Sequence, residues 1–305
     1  MNFPKKLQLG DTIGLISPCS PAPSERVNQC KEYVEAMGYS VVIGESAKHS
    51  CHGYLAGDDC LRANDINSMF ANKKIKAIFC LRGGYGGNRL MNLLDYNLIR
   101  KNPKIFVGYS DVTSFHLAFH TLCNMVTFHG PMVSSNMLDD FDNYTRTCFF
   151  NTINMTSQMK FCNPDYEEIK VLSPGCACGI IIGGCLSLIS PAIGTYYQPD
   201  FRNKILFLED VDESLPRCDK MIEQLFHSGI MNQISGLILG EFLDCVNPYD
   251  NTYSMTDYFK ERFKNFPKPV MYNIRSGHCK PMATLPFGTI CRMNTYQKSI
   301  SFERE

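Results

Sequence analysis

The sequence predicts an α/β protein with a mostly parallel sheet in its first half and a mixed α+β second half. Two observations carry this prediction. Strands alternate with helices over about the first 130 residues, which is typical of βαβ units. From residue 179 onward the alternation becomes irregular, and the tail at residues 289–302 shows two short strands. We therefore expect one domain over residues 1–165 and a second over residues 175–305.

In the first half, short apolar runs alternate with amphipathic segments. Strands are expected within residues 11–18 and over 40–44, 75–81, 105–107 and 125–131. Helices are expected over residues 24–37, 60–71, 88–94, 96–100 and 112–122. Residues 45–60 are predicted to form a loop, and the polar stretch 139–170 a helix plus a connection.

In the second half, residues 179–189 predict a strand, a glycine turn and the start of a helix. Buried strands are expected over residues 204–209, 234–239 and 269–274, with helices over 216–228 and 254–263. With two further short strands in the tail, this order of elements predicts a mixed α+β second domain.

Composition excludes several classes of protein. Of 305 residues, 44% are hydrophobic and 20% charged, as in ordinary globular proteins. Lys plus Arg and Asp plus Glu both number 30, and the resulting lack of a basic surplus speaks against a nucleic-acid or membrane partner. The N-terminal residues contain no apolar run long enough for a signal peptide or a membrane span, which favours a cytoplasmic location.

Ser110 is a candidate catalytic residue. It lies in the stretch GYSD (residues 108–111), between an expected buried strand and an expected helix. Such a turn places one side chain at the carboxyl end of a strand and aims backbone N–H groups at the same point. It resembles a nucleophile elbow, although Val112 replaces the final glycine of G-x-S-x-G. Capping of the helix by Ser110 is the structural alternative.

Three further segments contain residues suited to the same chemistry. The run RGGYGG at residues 82–87 can bring a backbone N–H close to a ligand, so Gly84 and Asp111 are candidates for an oxyanion hole; a plain tight turn is the alternative. Glu209 and Asp210 end an expected buried strand, where acids are often only turn residues. His278 lies in a proline-containing loop and is a candidate general base, or else a surface residue.

Together these segments give the order Ser110, Glu209, His278 on three separate strand ends. A serine hydrolase needs this set of groups, because a nucleophile, a base and an acid that orients the base must meet at one point.

Eight sequence motifs of the chain resemble those of a known family. The motifs GDTIG, YLAG, RGGYG, PKIFVGYSDVT, FHGPM, GGCLS, LFLED and GH followed by LPFG begin at residues 10, 54, 82, 103, 128, 183, 206 and 277. In this order they resemble the motifs of the LD-carboxypeptidase family of serine peptidases over nearly the whole chain. Cys185 departs from the family, which more often has asparagine there.

The resemblance implies a nucleophile at Ser110, an acid at Glu209 and a histidine at His278. It also implies a Rossmann-like N-terminal domain, a smaller β-rich C-terminal domain, a site at their junction and a homodimer. Enzymes of this family release the terminal D-alanine of murein tetrapeptides during cell-wall recycling, and no cofactor is expected. Arg82 is a candidate for binding the substrate carboxylate, with pairing to a structural carboxylate as the alternative.

Several other interpretations remain. Microcin C immunity-type peptidases share the motifs but cut peptidyl-nucleotides, and the resemblance implies that they use a tryptophan-bearing loop. This chain has no tryptophan, although tyrosine or phenylalanine could take its place. A ligand-binding relative without activity and an α/β-hydrolase are further alternatives, the latter disfavoured by the missing elbow glycine. A metal site is disfavoured because the available residues lack the usual spacing; these are His49, Cys51, His52, Cys176 and Cys178.

Overall fold

The computed structural model describes residues 1–304 and contains fourteen strands and ten α-helices within them. Glu305, the last residue of the predicted second domain, lies outside the described residues. The strands are β1 (Thr12–Ile16), β2 (Ser40–Ile43), β3 (Ile75–Cys80), β4 (Ile105–Gly108), β5 (Thr127–His129), β6 (Gln158–Phe161), β7 (Lys170–Ser173), β8 (Cys176–Cys185), β9 (Ile205–Val211), β10 (Gly236–Leu243), β11 (Val270–Tyr272), β12 (Leu285–Phe287), β13 (Ile290–Asn294) and β14 (Ser299–Glu303).

The α-helices connect and cover these strands. They are α1 (Ser24–Ala36), α2 (Asp59–Ala71), α3 (Tyr96–Lys101), α4 (Thr113–Cys123), α5 (Leu138–Asp140), α6 (Asn143–Ile153), α7 (Leu186–Ala192), α8 (Leu215–His227), α9 (Ile230–Gln233) and α10 (Met255–Arg262). Short 3₁₀ segments cover Glu45–Lys48, Gly87–Leu93 and Ser110–Val112, and a π-helical turn covers Val133–Met137. Within the described residues, no helix is long and apolar enough to span a bilayer.

The first sheet has the strand order β12–β5–β4–β3–β1–β2 and is parallel except for β12. Successive side chains of its strands point to opposite faces of the sheet, and both faces are buried. Ile78 and Phe106 contribute to a core with α2 and α4, whereas Phe79 and Val107 contribute to a core on the opposite face. Helices on both faces of a parallel sheet explain why its strands are nearly continuous apolar runs. The predicted mostly parallel first sheet is confirmed.

The second sheet has the order β6–β14–β13–β8–β9–β10–β11–β7. Strands β8 to β11 of this sheet are parallel to one another, and antiparallel strands flank them on both sides. The predicted mixed second half is therefore confirmed. The carboxyl end of β9 carries Glu209 and Asp210, and the carboxyl end of β4 in the first sheet leads into Ser110.

Two local predictions are wrong. Residues 88–94 were expected to be α-helical, but the chain forms a 3₁₀ segment over Gly87–Leu93 immediately after a glycine-rich turn. The expected glycine turn near residue 183 is instead part of β8. A Cβ atom at Gly183 would lie 1.9 Å from the carbonyl oxygen of Phe207, so glycine permits close contact with β9 rather than a turn.

The polar stretch 139–170 contains a strand that the sequence pattern did not predict. Strand β6 pairs only with β14 at one edge of the second sheet, and most of its residues are exposed or half-buried. Its four residues, QMKF, do alternate between polar and apolar, but a run this short within a polar stretch is at the lower limit of length for recognising a strand. The short strands β7 and β12 and the one-turn helix α9 were also not predicted.

Candidate active site

Ser110 has a backbone conformation that is uncommon outside glycine. Its φ is +64°, in the left-handed region, at the junction between β4 and the 3₁₀ turn that leads into α4. The preceding Gly108 is needed for this turn, because a Cβ there would lie 2.8 Å from the side chain of Val112. A strained turn between strand and helix is the geometry of a nucleophile elbow, and it forms here without the final glycine of that motif.

His278 is held by Glu209. The ring Nδ1 lies 2.7 Å from Glu209 Oε2, and the backbone N–H of His278 donates to the same oxygen at 3.2 Å. Glu209 is fully buried. Gly277 has a φ of +103°, and a Cβ at this position would lie 2.5 Å from Glu209 Oε2, so a glycine is required beside the pair. Because Nδ1 faces Glu209, Nε2 is the ring nitrogen that remains available to another group.

The pKa of His278 is raised above its ordinary value. Burial lowers the pKa of the imidazole, but the charge and the hydrogen bond of Glu209 favour the protonated form, and Asp210 and Asp212 add to this effect. The negative groups outweigh the burial, so the imidazolium that would form on accepting a proton is stabilised.

The serine turn and the histidine come from different sheets and meet at one cleft. The rings of Tyr109 and His278 contact edge to face, with centroids 4.8 Å apart. Both residues line a cleft of about 500 Å³, together with Glu241 and Arg275. Within residues 1–304, Ser110 Oγ forms no hydrogen bond. Catalytic hydrogen bonds often tighten only when substrate binds, so this geometry is compatible with a serine–histidine pair.

The glycine-rich run 82–87 lies directly against the serine turn. A Cβ at Gly83 would lie 2.9 Å from Ser110 Cβ, which shows how close the two loops are. Ser20 holds the next residues in place, since its hydroxyl accepts from the N–H of Tyr85 at 3.1 Å and donates to the carbonyl of Tyr54 at 2.7 Å. The adjacent Gly84 has a φ of +107°.

Two backbone N–H groups near the serine are available to a ligand. In the part of the chain that the structure describes, the N–H groups of Gly84 and Asp111 have no acceptor. The side chain of Asp111 is buried and accepts from the N–H of Gly87 at 2.6 Å, which ties the serine turn to the glycine-rich run. Burial raises the pKa of this carboxyl group, opposed by hydrogen bonds from Cys19 and Gly87.

Arg82 has no acidic partner among residues 1–304. One of its guanidinium nitrogens, Nη1, donates to the carbonyl of Pro21 at 3.3 Å, and the side chain is half-buried. The alternative expectation for Arg82, an ion pair with a structural carboxylate, is therefore not what the structure contains. The remaining N–H donors are free to bind an anion beside the glycine-rich run.

Asp210 has a different role from its neighbour Glu209. Its carboxylate accepts from the N–H of Ser187 at 2.8 Å and contacts the thiol of Cys185 at 3.2 Å. Burial raises the pKa of Asp210, and hydrogen bonds partly offset this. Cys185, which departs from the family motif, therefore has a polar partner in its buried position.

Sequence reasoning missed two residues that shape the site. Arg62 is fully buried and donates to the carbonyls of Pro18 and Gly86 at 2.8 and 2.9 Å, so it anchors the glycine-rich run. Arg62 lies about one turn before the apolar Ile66 in α2, and this spacing is the signal that both side chains lie on the inward face of the helix. The other residue is Thr113, whose hydroxyl accepts from the N–H of Cys185 in the second sheet at 3.1 Å.

The chain is similar to known proteins along nearly its whole length. Residues 13–130 match the sequence model of the LD-carboxypeptidase N-terminal domain, and residues 178–293 match that of the LD-carboxypeptidase C-terminal domain. The chain is 35% identical over 302 residues to the probable murein peptide carboxypeptidase of Bacillus subtilis, covering 98% of this chain and 94% of the relative.

Solved structures share the fold over nearly the whole chain. The muramoyltetrapeptide carboxypeptidase of Oxalobacter formigenes superposes with a TM-score of 0.84 at 28% identity, covering 96% of this chain and 98% of that one. A variant of the microcin C7 self-immunity protein MccF with adenosine monophosphate gives a TM-score of 0.93 at 24% identity, covering 100% and 99%. At that identity the second likeness concerns the fold alone.

Proposed function

This chain belongs to the LD-carboxypeptidase family and is a serine-type carboxypeptidase, and we propose that it releases the terminal D-alanine of murein tetrapeptides. The observation that carries the proposal is the pairing of His278 with buried Glu209 at a cleft that the strained Ser110 turn also reaches. A base oriented by a buried acid beside a nucleophile turn is the arrangement required for acyl transfer.

In the proposed reaction, Ser110 Oγ attacks the carbonyl carbon of the amide between an L-centre and D-alanine. His278 Nε2 accepts the hydroxyl proton, and Glu209 keeps the ring in the required tautomer through its contact with Nδ1. The tetrahedral intermediate collapses when His278 returns the proton to the departing amine. Water then hydrolyses the acyl-enzyme by the same steps, which regenerates Ser110 and releases the shortened peptide.

The N–H groups of Gly84 and Asp111 are proposed to bind the oxyanion of the intermediate. Both lack an acceptor among residues 1–304, and both lie on loops that are held against each other by the bond from the Gly87 N–H to the Asp111 side chain. Preorganised donors of this kind stabilise charge that develops only in the transition state.

Arg82 is proposed to bind the terminal carboxylate of the substrate. Its guanidinium lacks an acidic partner among residues 1–304, and the residue lies just after β3, at the start of the glycine-rich run. We expect Arg82→Gln to raise KM about 10- to 100-fold, since a charge-assisted hydrogen bond contributes about 1.5–3 kcal/mol. Steady-state kinetics on tetrapeptides with a free and an amidated C-terminus measure this. If wild type and Arg82→Gln discriminate equally between the two peptides, Arg82 does not bind the carboxylate.

Cleavage of peptidyl-nucleotides is the rival activity. Stacking on aromatic side chains supplies much of the affinity for a nucleobase, and this chain has no tryptophan. A side-by-side assay of a murein tetrapeptide and a peptidyl-adenylate at equal concentration separates the two activities. We expect faster release of D-alanine; faster cleavage of the peptidyl-adenylate would move the chain to the rival class while leaving Ser110 as the nucleophile.

The family resemblance also supports a cytoplasmic homodimer as the working form. Light scattering on the purified protein should give twice the mass of one chain, and the mass of a single chain at micromolar concentration would contradict the dimer.

A further inference from the structure

Five lysine side chains line a cavity at the edge of the first sheet that lies opposite Ser110. The cavity has a volume of about 380 Å³, and Phe3 and Ile75 supply its apolar surface. It lies where β3 and β4 begin, whereas Ser110 follows the carboxyl end of β4. We call it the lysine pocket, and its lysines are Lys5, Lys73, Lys76, Lys101 and Lys104.

Within the described residues, the charges of the lysine pocket are not neutralised by acidic side chains. Among residues 1–304, none of its five lysines forms an ion pair with a carboxylate. The Nζ of Lys76 donates instead to the carbonyl of Lys73 at 2.9 Å. The chain as a whole carries 30 basic and 30 acidic residues, so this clustering is not a consequence of a basic composition. Like charges held close together repel, and a bound anion relieves this repulsion.

Lys104 makes the pocket more than a group of surface lysines. It is only 6% exposed, and its Nζ donates to the carbonyls of Asn72 and Ile75, the latter at 2.7 Å. Burial and the nearby charge of Lys76 lower the pKa of Lys104 to about 8. An ammonium group has three N–H donors, so one remains after these two bonds.

We propose that the lysine pocket binds a small ligand that carries several negatively charged phosphate oxygens. Lysine is a compact point charge that suits phosphate, and a concave surface lined by one sign of charge concentrates the field on its contents. The volume lies within the range of about 300–1,000 Å³ for small-molecule sites. A concave site of this size favours a compact polyanion over the flat surface of an anionic membrane.

Titration calorimetry with inorganic tripolyphosphate at low ionic strength tests the proposal. The intact protein is expected to bind one equivalent, with an affinity that falls as salt is added because the contacts are electrostatic. Replacing three of the four exposed lysines together, as Lys73→Gln, Lys76→Gln and Lys101→Gln, should weaken binding about 3- to 150-fold, since each exposed charge contributes roughly 0.2–1 kcal/mol.

A matched control removes the same amount of charge elsewhere. Lys160, Lys220 and Lys264 are exposed, do not line the pocket and have no carboxylate partner among residues 1–304, so their joint replacement by Gln removes the same net charge and should weaken binding much less than the pocket variant does. Equal weakening by both triple variants, or no saturable binding by the wild type, would overturn the proposal. Binding to phosphatidylglycerol vesicles without binding of tripolyphosphate would also overturn it, in favour of a membrane surface. D-alanine release is not used as a readout, so this test is independent of the proposed activity.

Discussion

The left-handed conformation of Ser110 costs about 1–2 kcal/mol for a residue with a Cβ atom. The surrounding contacts maintain it, since Gly83 lies against the serine side chain and Gly108 makes room for Val112. A helix-capping serine has no need of this conformation, because an N-cap residue ordinarily has an extended backbone. The structure also gives the 3₁₀ turn at Ser110 no side-chain cap. The capping alternative for Ser110 therefore lacks its defining contact.

The raised pKa of His278 gives a prediction for the pH dependence of the rate. A general base acts when it is unprotonated, so kcat/KM should rise with pH through the pKa of His278. Because Glu209, Asp210 and Asp212 outweigh burial, that pKa lies above the ordinary value of about 6.5. Initial rates from pH 5 to about 9 at low substrate concentration measure the profile.

Removing the charge of Glu209 is the control for this profile. In Glu209→Gln the negative partner is lost while a hydrogen-bond acceptor remains, so the apparent pKa should move to lower pH and kcat should fall. A wild-type profile that is flat across this range would contradict the role of His278, as would a profile that Glu209→Gln leaves unmoved.

At the scale of elements, the strand–turn–helix at Ser110 was predictable because every part has a local signal. Strand β4 is a buried apolar run, a glycine ends it, and α4 follows at once. The glycines of β8 carry the same local signal for a turn, yet they lie within a strand because of contacts with β9 and α4. Those contacts join residues far apart in the chain, so no local pattern contains them. The buried position of Arg62 beside the glycine-rich run has the same long-range origin.

The contact between α4 and β8 gives a second prediction. Thr113, the first residue of α4, is fully buried, and its hydroxyl accepts from the N–H of Cys185, which lies opposite Glu209 in the second sheet. This bond couples the helix after Ser110 to the strand beside Glu209. Thr113→Val keeps the shape but removes the acceptor, leaving a buried N–H unsatisfied at a cost of about 1–3 kcal/mol.

We expect Thr113→Val to lower kcat about tenfold with KM nearly unchanged, because the reacting groups lose alignment while the binding groups remain. The rate at which a fluorophosphonate labels Ser110 should fall in parallel. Thr113→Ser retains the hydroxyl and should restore both rates. Equal loss in the valine and serine variants would indicate a packing defect instead of a positioning role.

At the scale of the whole molecule, the two sheets exchange strands across the predicted domain boundary. Strand β12 comes from the second half of the chain but pairs with β5 in the first sheet. Strand β6 precedes residue 165 but pairs with β14 in the second sheet. The boundaries at residues 1–165 and 175–305 remain a prediction about sequence organisation, since each half supplies a strand to the sheet of the other.

This exchange predicts that the two halves unfold together. Calorimetry of the intact chain should show one cooperative transition, because losing either sheet removes an edge strand from the other. A fragment of residues 1–165 would lack β12 and leave β5 with an open edge, so we expect it to aggregate. Two separable transitions in the intact chain, or a folded monomeric fragment, would contradict this view.

Mass spectrometry of a murein tetrapeptide, after incubation with the wild type and with Ser110→Ala, tests whether Ser110 is the nucleophile that releases D-alanine. The wild type should yield the tripeptide and free D-alanine. Ser110→Ala should lower the rate by several powers of ten, as the loss of a catalytic nucleophile typically does, while circular dichroism and thermal midpoint stay unchanged. Ser24→Ala, at the exposed start of α1, is the matched control and should keep wild-type activity. Near-full release of D-alanine by Ser110→Ala would show that Ser110 is not the nucleophile.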